Sequence, residues 1–112
     1  MANLQTNFLG IKSPNPFWLA SAPPTDREVN VTRAFKAGWG GVVWKTLGED
    51  PHVVNVNGPR YGAIHSNDRR LIGLNNIELI TDRPLEVNLR EIKAVKKAWP
   101  DRAIVVSLMV PC

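Results

Sequence analysis

The sequence predicts a parallel α/β fold, and three observations carry that prediction. Three short apolar runs, Phe17–Ala22, Gly38–Thr46 and Ala103–Met109, lack the alternation of a half-solvated strand and have the composition of strands covered on both faces. Helical periodicity appears between successive runs, the order that βαβ units require. The second run, Gly38-Trp39-Gly40-Gly41-Val42-Val43-Trp44-Lys45-Thr46, ends abruptly on two polar residues. A lysine there is expected to meet solvent, a helix end or a ligand, because an unpaired ammonium is strongly disfavoured in an apolar interior.

With 112 residues the chain is one domain at most, and 44% hydrophobic with 21% charged residues is an ordinary globular balance. No window reaches the ~18 apolar residues of a membrane span. Met1–Gly10 has neither a basic stretch nor the apolar core of a secretory leader, so the expected compartment is the cytoplasm, without a membrane partner. The net charge of +4 is interspersed with acids, as in Asp26-Arg27-Glu28 and Asp68-Arg69-Arg70, and forms no basic stripe, which argues against a nucleic-acid partner. Cys112 is the single cysteine, so neither an internal disulfide nor a cysteine-based metal site is expected. Its place directly after Val110-Pro111 reads as a cut rather than a finished terminus.

Taken in order, Asn7–Lys12 alternates around a glycine and suits a small hairpin or plug strand. Pro14-Asn15-Pro16 imposes an extended entry, and Phe17–Ala22 follows as a first buried strand whose small terminal residues let a flat group approach the backbone. Thr25-Asp26-Arg27-Glu28 has the form of a capping box. It predicts a helix from Asp26 to Ala37 with Val31, Ala34 and Phe35 on one face and Gly38 as its left-handed stop. After Thr46, residues Leu47 to Asn76 are expected to be irregular, a length that is uncommon unless functional. Thr81 or Asp82 is the expected cap of a second helix, with Pro84 in its first turn. Leu85, Leu89, Ile92, Val95 and Trp99 form its apolar stripe, and Pro100 stops it. Ala103–Met109 is the third strand. Three parallel strands cannot close a barrel, and a (β/α)8 barrel takes about 250 residues. The expected architecture is therefore the first three βα units of such a barrel, incomplete over residues 1–112, with an open edge.

Five stretches occur in order: Asn15-Pro16-Phe17 with Leu19-Ala20-Ser21-Ala22; Ala37 to Thr46; Asn76-Ile77-Glu78-Leu79-Ile80; Trp99-Pro100-Asp101; and Val106-Ser107-Leu108-Met109. Together they resemble the amino-terminal part of the flavin domain of the dihydropyrimidine dehydrogenases, relatives of the dihydroorotate dehydrogenases, over about Phe8 to Cys112. The resemblance implies an FMN-binding (β/α)8 barrel that reduces uracil or thymine to the 5,6-dihydro base in pyrimidine catabolism. It also implies electrons from NADH delivered by a partner subunit carrying FAD and iron-sulfur clusters, groups that this chain does not itself bind, and an oligomeric assembly. By the same resemblance Ala20 and Ser21 contact FMN at the end of the first strand, Lys45 and Thr46 bind FMN, and Asn76 binds the pyrimidine. The amide of Asn76 suits that role because it both donates and accepts.

No catalytic residue is expected in these residues, since the family's proton-donating cysteine lies in a loop after a later strand and Cys112 is outside that motif; the chain alone is expected to be inactive. Asn55–Arg60 resembles a serine-proline-arginine stretch of the family, with Gly58 in place of serine. Glu78 is read as structural, bonding loop amides, and His52 and His65 as solvated, without a second metal ligand at suitable spacing. Trp18, Trp39, Trp44 and Trp99 are read as core. Two alternatives stay open from sequence: a dihydroorotate dehydrogenase, and a non-catalytic interaction module that pairs its open strand edge with another chain.

Overall fold

The computed structural model describes residues 2–48 and 59–110. The chain opens with a hairpin of β1 (Thr6–Phe8) and β2 (Ile11–Ser13), turned by Leu9 and Gly10, both at positive φ. Two left-handed residues in succession give the turn whose twist matches a two-residue hairpin. Phe8 packs edge-on against Trp18, ring centroids 6.2 Å apart, so the hairpin expected from Asn7–Lys12 is tied to the first parallel strand.

That strand, β3, is shorter than expected: only Trp18–Leu19 joins the ladder, and Phe17 is exposed. It pairs in parallel with β4 (Gly41–Leu47), which pairs in parallel with β7 (Ala103–Leu108), giving the order β3-β4-β7. Close approach explains the glycine pair that opens β4. A Cβ on Gly41 would stand 2.7 Å from the Ala103 Cβ and 2.9 Å from the Trp18 ring, and one on Gly40 would stand 2.2 Å from the Asn15 carbonyl oxygen.

Helix α1 (Glu28–Lys36) buries Val31 and Phe35 on the predicted face and stops at Gly38, φ 101°. Its predicted capping box does not form. Thr25 belongs instead to a short 3-10 turn (Pro23–Thr25), where its hydroxyl donates to the Ala22 and Ala20 carbonyls and accepts the Ala22 N–H. The cap comes from another helix: the Glu91 carboxylate accepts the Glu28 N–H at 2.8 Å and the Arg83 guanidinium at 2.8 Å and at a second, shorter contact. The Arg83 fork and the Glu28 N–H together hold the Glu91 carboxyl below its ordinary pKa.

Helix α2 (Leu85–Ala98) starts after Pro84, without the side-chain cap expected from Thr81 or Asp82; the Thr81 hydroxyl accepts the Arg83 N–H instead. Its predicted stripe is also altered. Leu89 is 52% exposed, whereas Asn88 is fully buried. Asn88 earns that place by satisfying both halves of its amide: it accepts the Trp44 indole N–H at 3.0 Å and donates to the carbonyls of Arg83 and Pro84.

Val31, Phe35, Val42, Trp44, Leu47 and Val95 form the core between the helices and one sheet face, with Leu19, Ile92, Trp99, Ile104 and Val106 against it. Trp44 is fully buried as expected, Trp18 and Trp99 are partly buried, and Trp39, expected in the core, is 36% exposed. Phe35 meets Trp99 edge-on at 5.7 Å. On the opposite face Val43 and Val105 are only half-buried, so the expectation of strands fully covered on both faces is met on the helical side alone.

The segment expected to be irregular contains a second hairpin, β5 (Tyr61–His65) and β6 (Leu71–Asn76), closed by Ser66–Arg70 with Arg69 at positive φ. The architecture is α/β with one parallel sheet and two antiparallel hairpins. Among the described residues there is no closed barrel, and two helices accompany three parallel strands, short of three complete βα units. No helix among them is long and apolar enough to cross a membrane.

Candidate functional site

The carboxyl ends of the three parallel strands lie side by side, and each supplies a hydroxyl: Ser21 just after β3, Thr46 in β4 and Ser107 in β7. The Thr46 Oγ1 is 2.8 Å from the Ser107 Oγ and 3.3 Å from the Ser21 Oγ, and the Thr46 N–H donates to the Ser21 Oγ at 3.1 Å. A bulge makes this possible. Trp44 is opposite Val106 but Leu47 is opposite Leu108, so β4 carries one extra residue across Lys45-Thr46. Bulges bend a strand and re-aim its side chains, and here the bulge coincides with the two residues singled out at the strand end.

Lys45 is buried, yet it reaches neither solvent nor a helix end. Its Nζ donates to Glu78 at 2.9 Å, with the two side chains 8% and 11% exposed. Glu78 also faces Arg60 at 3.3 Å, and Arg60 contacts Asp82 at 2.7 Å. Hydrogen bonding to Asp82, followed by that to Glu78, drives the Arg60 guanidinium further toward its charged form. The pairing corrects the reading of Glu78 as a bonder of loop amides: its partners are cations. Lys45 makes one hydrogen bond among the described residues, which leaves two N–H donors for another acceptor.

Ser21 and Ala20 are exposed. Asn76 ends β6, apart from the hydroxyl row, and its side-chain oxygen accepts the Glu78 N–H at 2.9 Å. It is thus joined to the strand ends through Glu78. Sequence reasoning missed Ser107, Glu78 and Arg60 as members of this region. Ser107 could have been found by aligning the last polar residue of each predicted strand, but the partners of Glu78 could not, since they come from elements far apart in the chain. His65 is exposed on β5. His52, Cys112 and residues 55–58 lie outside the described residues, among which no cluster of metal-ligating side chains occurs.

No family model matches the chain. Among curated proteins it is 42% identical over 113 residues to the chloroplastic dihydropyrimidine dehydrogenase (NADP(+)) of Arabidopsis thaliana. It is 37% identical over 107 residues to the NAD-dependent dihydropyrimidine dehydrogenase subunit PreA of Escherichia coli K12 and of strain O157:H7. Each alignment covers 96% of this chain. Over nearly its whole length the chain is similar to dihydropyrimidine dehydrogenases. It spans about a quarter, 26%, of the length of these relatives.

Proposed function

We propose that the chain supplies the first three strands of an FMN-binding (β/α)8 barrel in a flavin oxidoreductase that reduces uracil or thymine to the 5,6-dihydro base, in the cytoplasm, with electrons from NADH. The observation that carries the proposal is the convergence of Ser21, Lys45 and Thr46 at the carboxyl ends of adjacent parallel strands, the face on which barrel enzymes build their sites. The relatives' names supply the reaction class.

The residues fit a flavin. A ring rich in carbonyl and imine acceptors needs donors, and this region offers the spare donors of Lys45 and the hydroxyl row, beside small exposed residues at Ala20 and Ser21. Bound FMN supplies the hydride chemistry. Lys45 presents a fixed positive charge, and Glu78 orients it. Ser21 and Thr46 hold the cofactor edge, and Ala20 leaves room for it. Asn76 keeps both side-chain N–H donors and a carbonyl lone pair, the alternating pattern needed along a pyrimidine edge. No residue assigned here holds an iron-sulfur cluster or FAD; those belong to a partner subunit in an oligomeric complex, and the chain by itself is inactive.

The test uses the full-length protein that carries this segment. It is expected to purify with a flavin absorption spectrum and to oxidise NADH, in preference to NADPH, in a uracil-dependent reaction once its partner is supplied. Lys45→Ala should lower flavin retention at least ~10-fold, the scale of a lost charge-assisted contact. A flavin-free protein, dihydroorotate turnover without uracil reduction, or a Lys45→Ala variant with unchanged flavin would each overturn the proposal.

A further inference from the structure

Three hydroxyl groups in a row carry three protons, but two links between them consume only two. One O–H must therefore point out of the row, and the structure favours one end. Ser107 is half-buried, and its Oγ has Thr46 as its sole partner among the described residues, at 2.8 Å. Ser21 is exposed, and its Oγ lies within reach of both the Thr46 N–H at 3.1 Å and the Thr46 hydroxyl at 3.3 Å. If Ser107 donates to Thr46 and Thr46 donates to Ser21, both lone pairs of Ser21 are occupied and only its proton is left to offer. The opposite direction would aim the spare proton from the more enclosed end and leave the exposed Ser21 with its proton turned inward.

We propose that Ser107 is a positioning residue. By donating to Thr46 it sets the direction of the hydroxyl row and makes Ser21 a pure donor toward an acceptor atom, a carbonyl oxygen or imine nitrogen, on the ligand at the strand ends. This inference rests on the flavin reading above. Chained hydroxyls polarise one another, so the first donor strengthens the last. Ser107 thereby influences the ligand from the third strand without touching it.

The experiment measures FMN affinity of the full-length protein by flavin fluorescence, together with the position of the flavin absorption bands. Ser107→Ala is expected to weaken FMN binding about fivefold, the weight of one neutral hydrogen bond, and to shift the bands. Ser107→Thr, which keeps the hydroxyl, should restore both. Because the effect runs through Ser21, Ser107→Ala should cost almost nothing further in a Ser21→Ala background. A wild-type protein that binds no FMN refutes the underlying flavin reading. A flavin-binding wild type whose affinity and spectrum ignore Ser107→Ala, or whose Ser107→Ala loss persists undiminished without the Ser21 hydroxyl, refutes this inference alone.

Discussion

Removing either member of the Lys45–Glu78 pair should harm the fold more than removing both. The side chains are 8% and 11% exposed and 2.9 Å apart, so bulk water does little to compensate a lost partner. Deleting one partner of a buried ion pair costs about 3–5 kcal/mol, whereas replacing both by apolar groups of similar size is often neutral. Glu78→Leu strands the Lys45 ammonium and should destabilise by about 3 kcal/mol. Lys45→Met leaves Glu78 with Arg60 at 3.3 Å, so its cost should be smaller, about 1–2 kcal/mol. The double variant should lie within about 1 kcal/mol of wild type, a coupling of about 3–5 kcal/mol. Urea unfolding followed by tryptophan fluorescence provides the assay, since Trp44 is fully buried beside the pair in sequence. The coupling should change little with added salt, because a buried pair is poorly screened. Additive single-variant effects, or a coupling below about 0.5 kcal/mol, would refute the reasoning. The same double variant separates stability from function, because it should keep the fold and lose the flavin.

Glu91→Ala should cost about 2–3 kcal/mol at neutral pH, since it removes a charged cap and the acceptor of both bonds of the Arg83 fork; a melting temperature within one degree of wild type would contradict this. The carboxyl is held below its ordinary value near 4.5 in the folded protein. Its contribution is therefore complete above the unfolded pKa and is lost as the pH falls through the lower folded one, so the gap between wild type and variant should shrink below about pH 4.5. Gly41→Ala should destabilise by about 2–3 kcal/mol or more, because the added methyl meets the Ala103 Cβ and the Trp18 ring at 2.7 and 2.9 Å; thermal unfolding at wild-type temperature would show that the strands can part more easily than the packing implies. Asn88→Leu should cost about 2 kcal/mol by leaving the Trp44 indole N–H without its acceptor, and Asn88→Asp, which retains an acceptor there but gives up the donor to Arg83 and Pro84, should also destabilise in the same melt.

The elements legible in the sequence were those whose signal is local. The Val31–Phe35 face and the Gly38 stop of α1, the run Gly38–Thr46 and the helix ending before Pro100 each follow from periodicity or from one conformationally special residue, and the structure places them within three residues of expectation. The second hairpin was not legible. Its strands Tyr61–His65 and Leu71–Asn76 contain two glycines and no buried residue, so burial imposes no alternation from which a strand could be read. The caps failed for a related reason. Thr25-x-x-Glu28 satisfies the capping pattern, but a proline pair immediately upstream commits Thr25 to a tight turn, and the carboxylate of Glu91 arrives from 63 residues away to take the Glu28 N–H. Asn88 lies on the apolar face, three residues after Leu85 and four before Ile92, where its amide gave no sign of burial. The indole of Trp44 and the carbonyls of Arg83 and Pro84 make an amide acceptable there.

The site shows the same division, and it explains why a lysine can end a buried strand at all. From sequence, Lys45 demands a counter-charge or a ligand, and the identity of its partner depends on how the chain returns after β6. The return is set by Asn76, whose side chain receives the Glu78 N–H and turns the backbone so that the next carboxylate reaches the ammonium. A buried pair of this kind is weak grounds for stability, since apolar residues would serve as well. Its place at a bulge, beside a row of hydroxyls contributed by three separate strands, is what the proposed ligand role of Lys45 would account for. On that proposal Glu78 would aim Lys45, the bulge brings Thr46 to the same end of the sheet, and Ser107 would set the direction in which the hydroxyls donate.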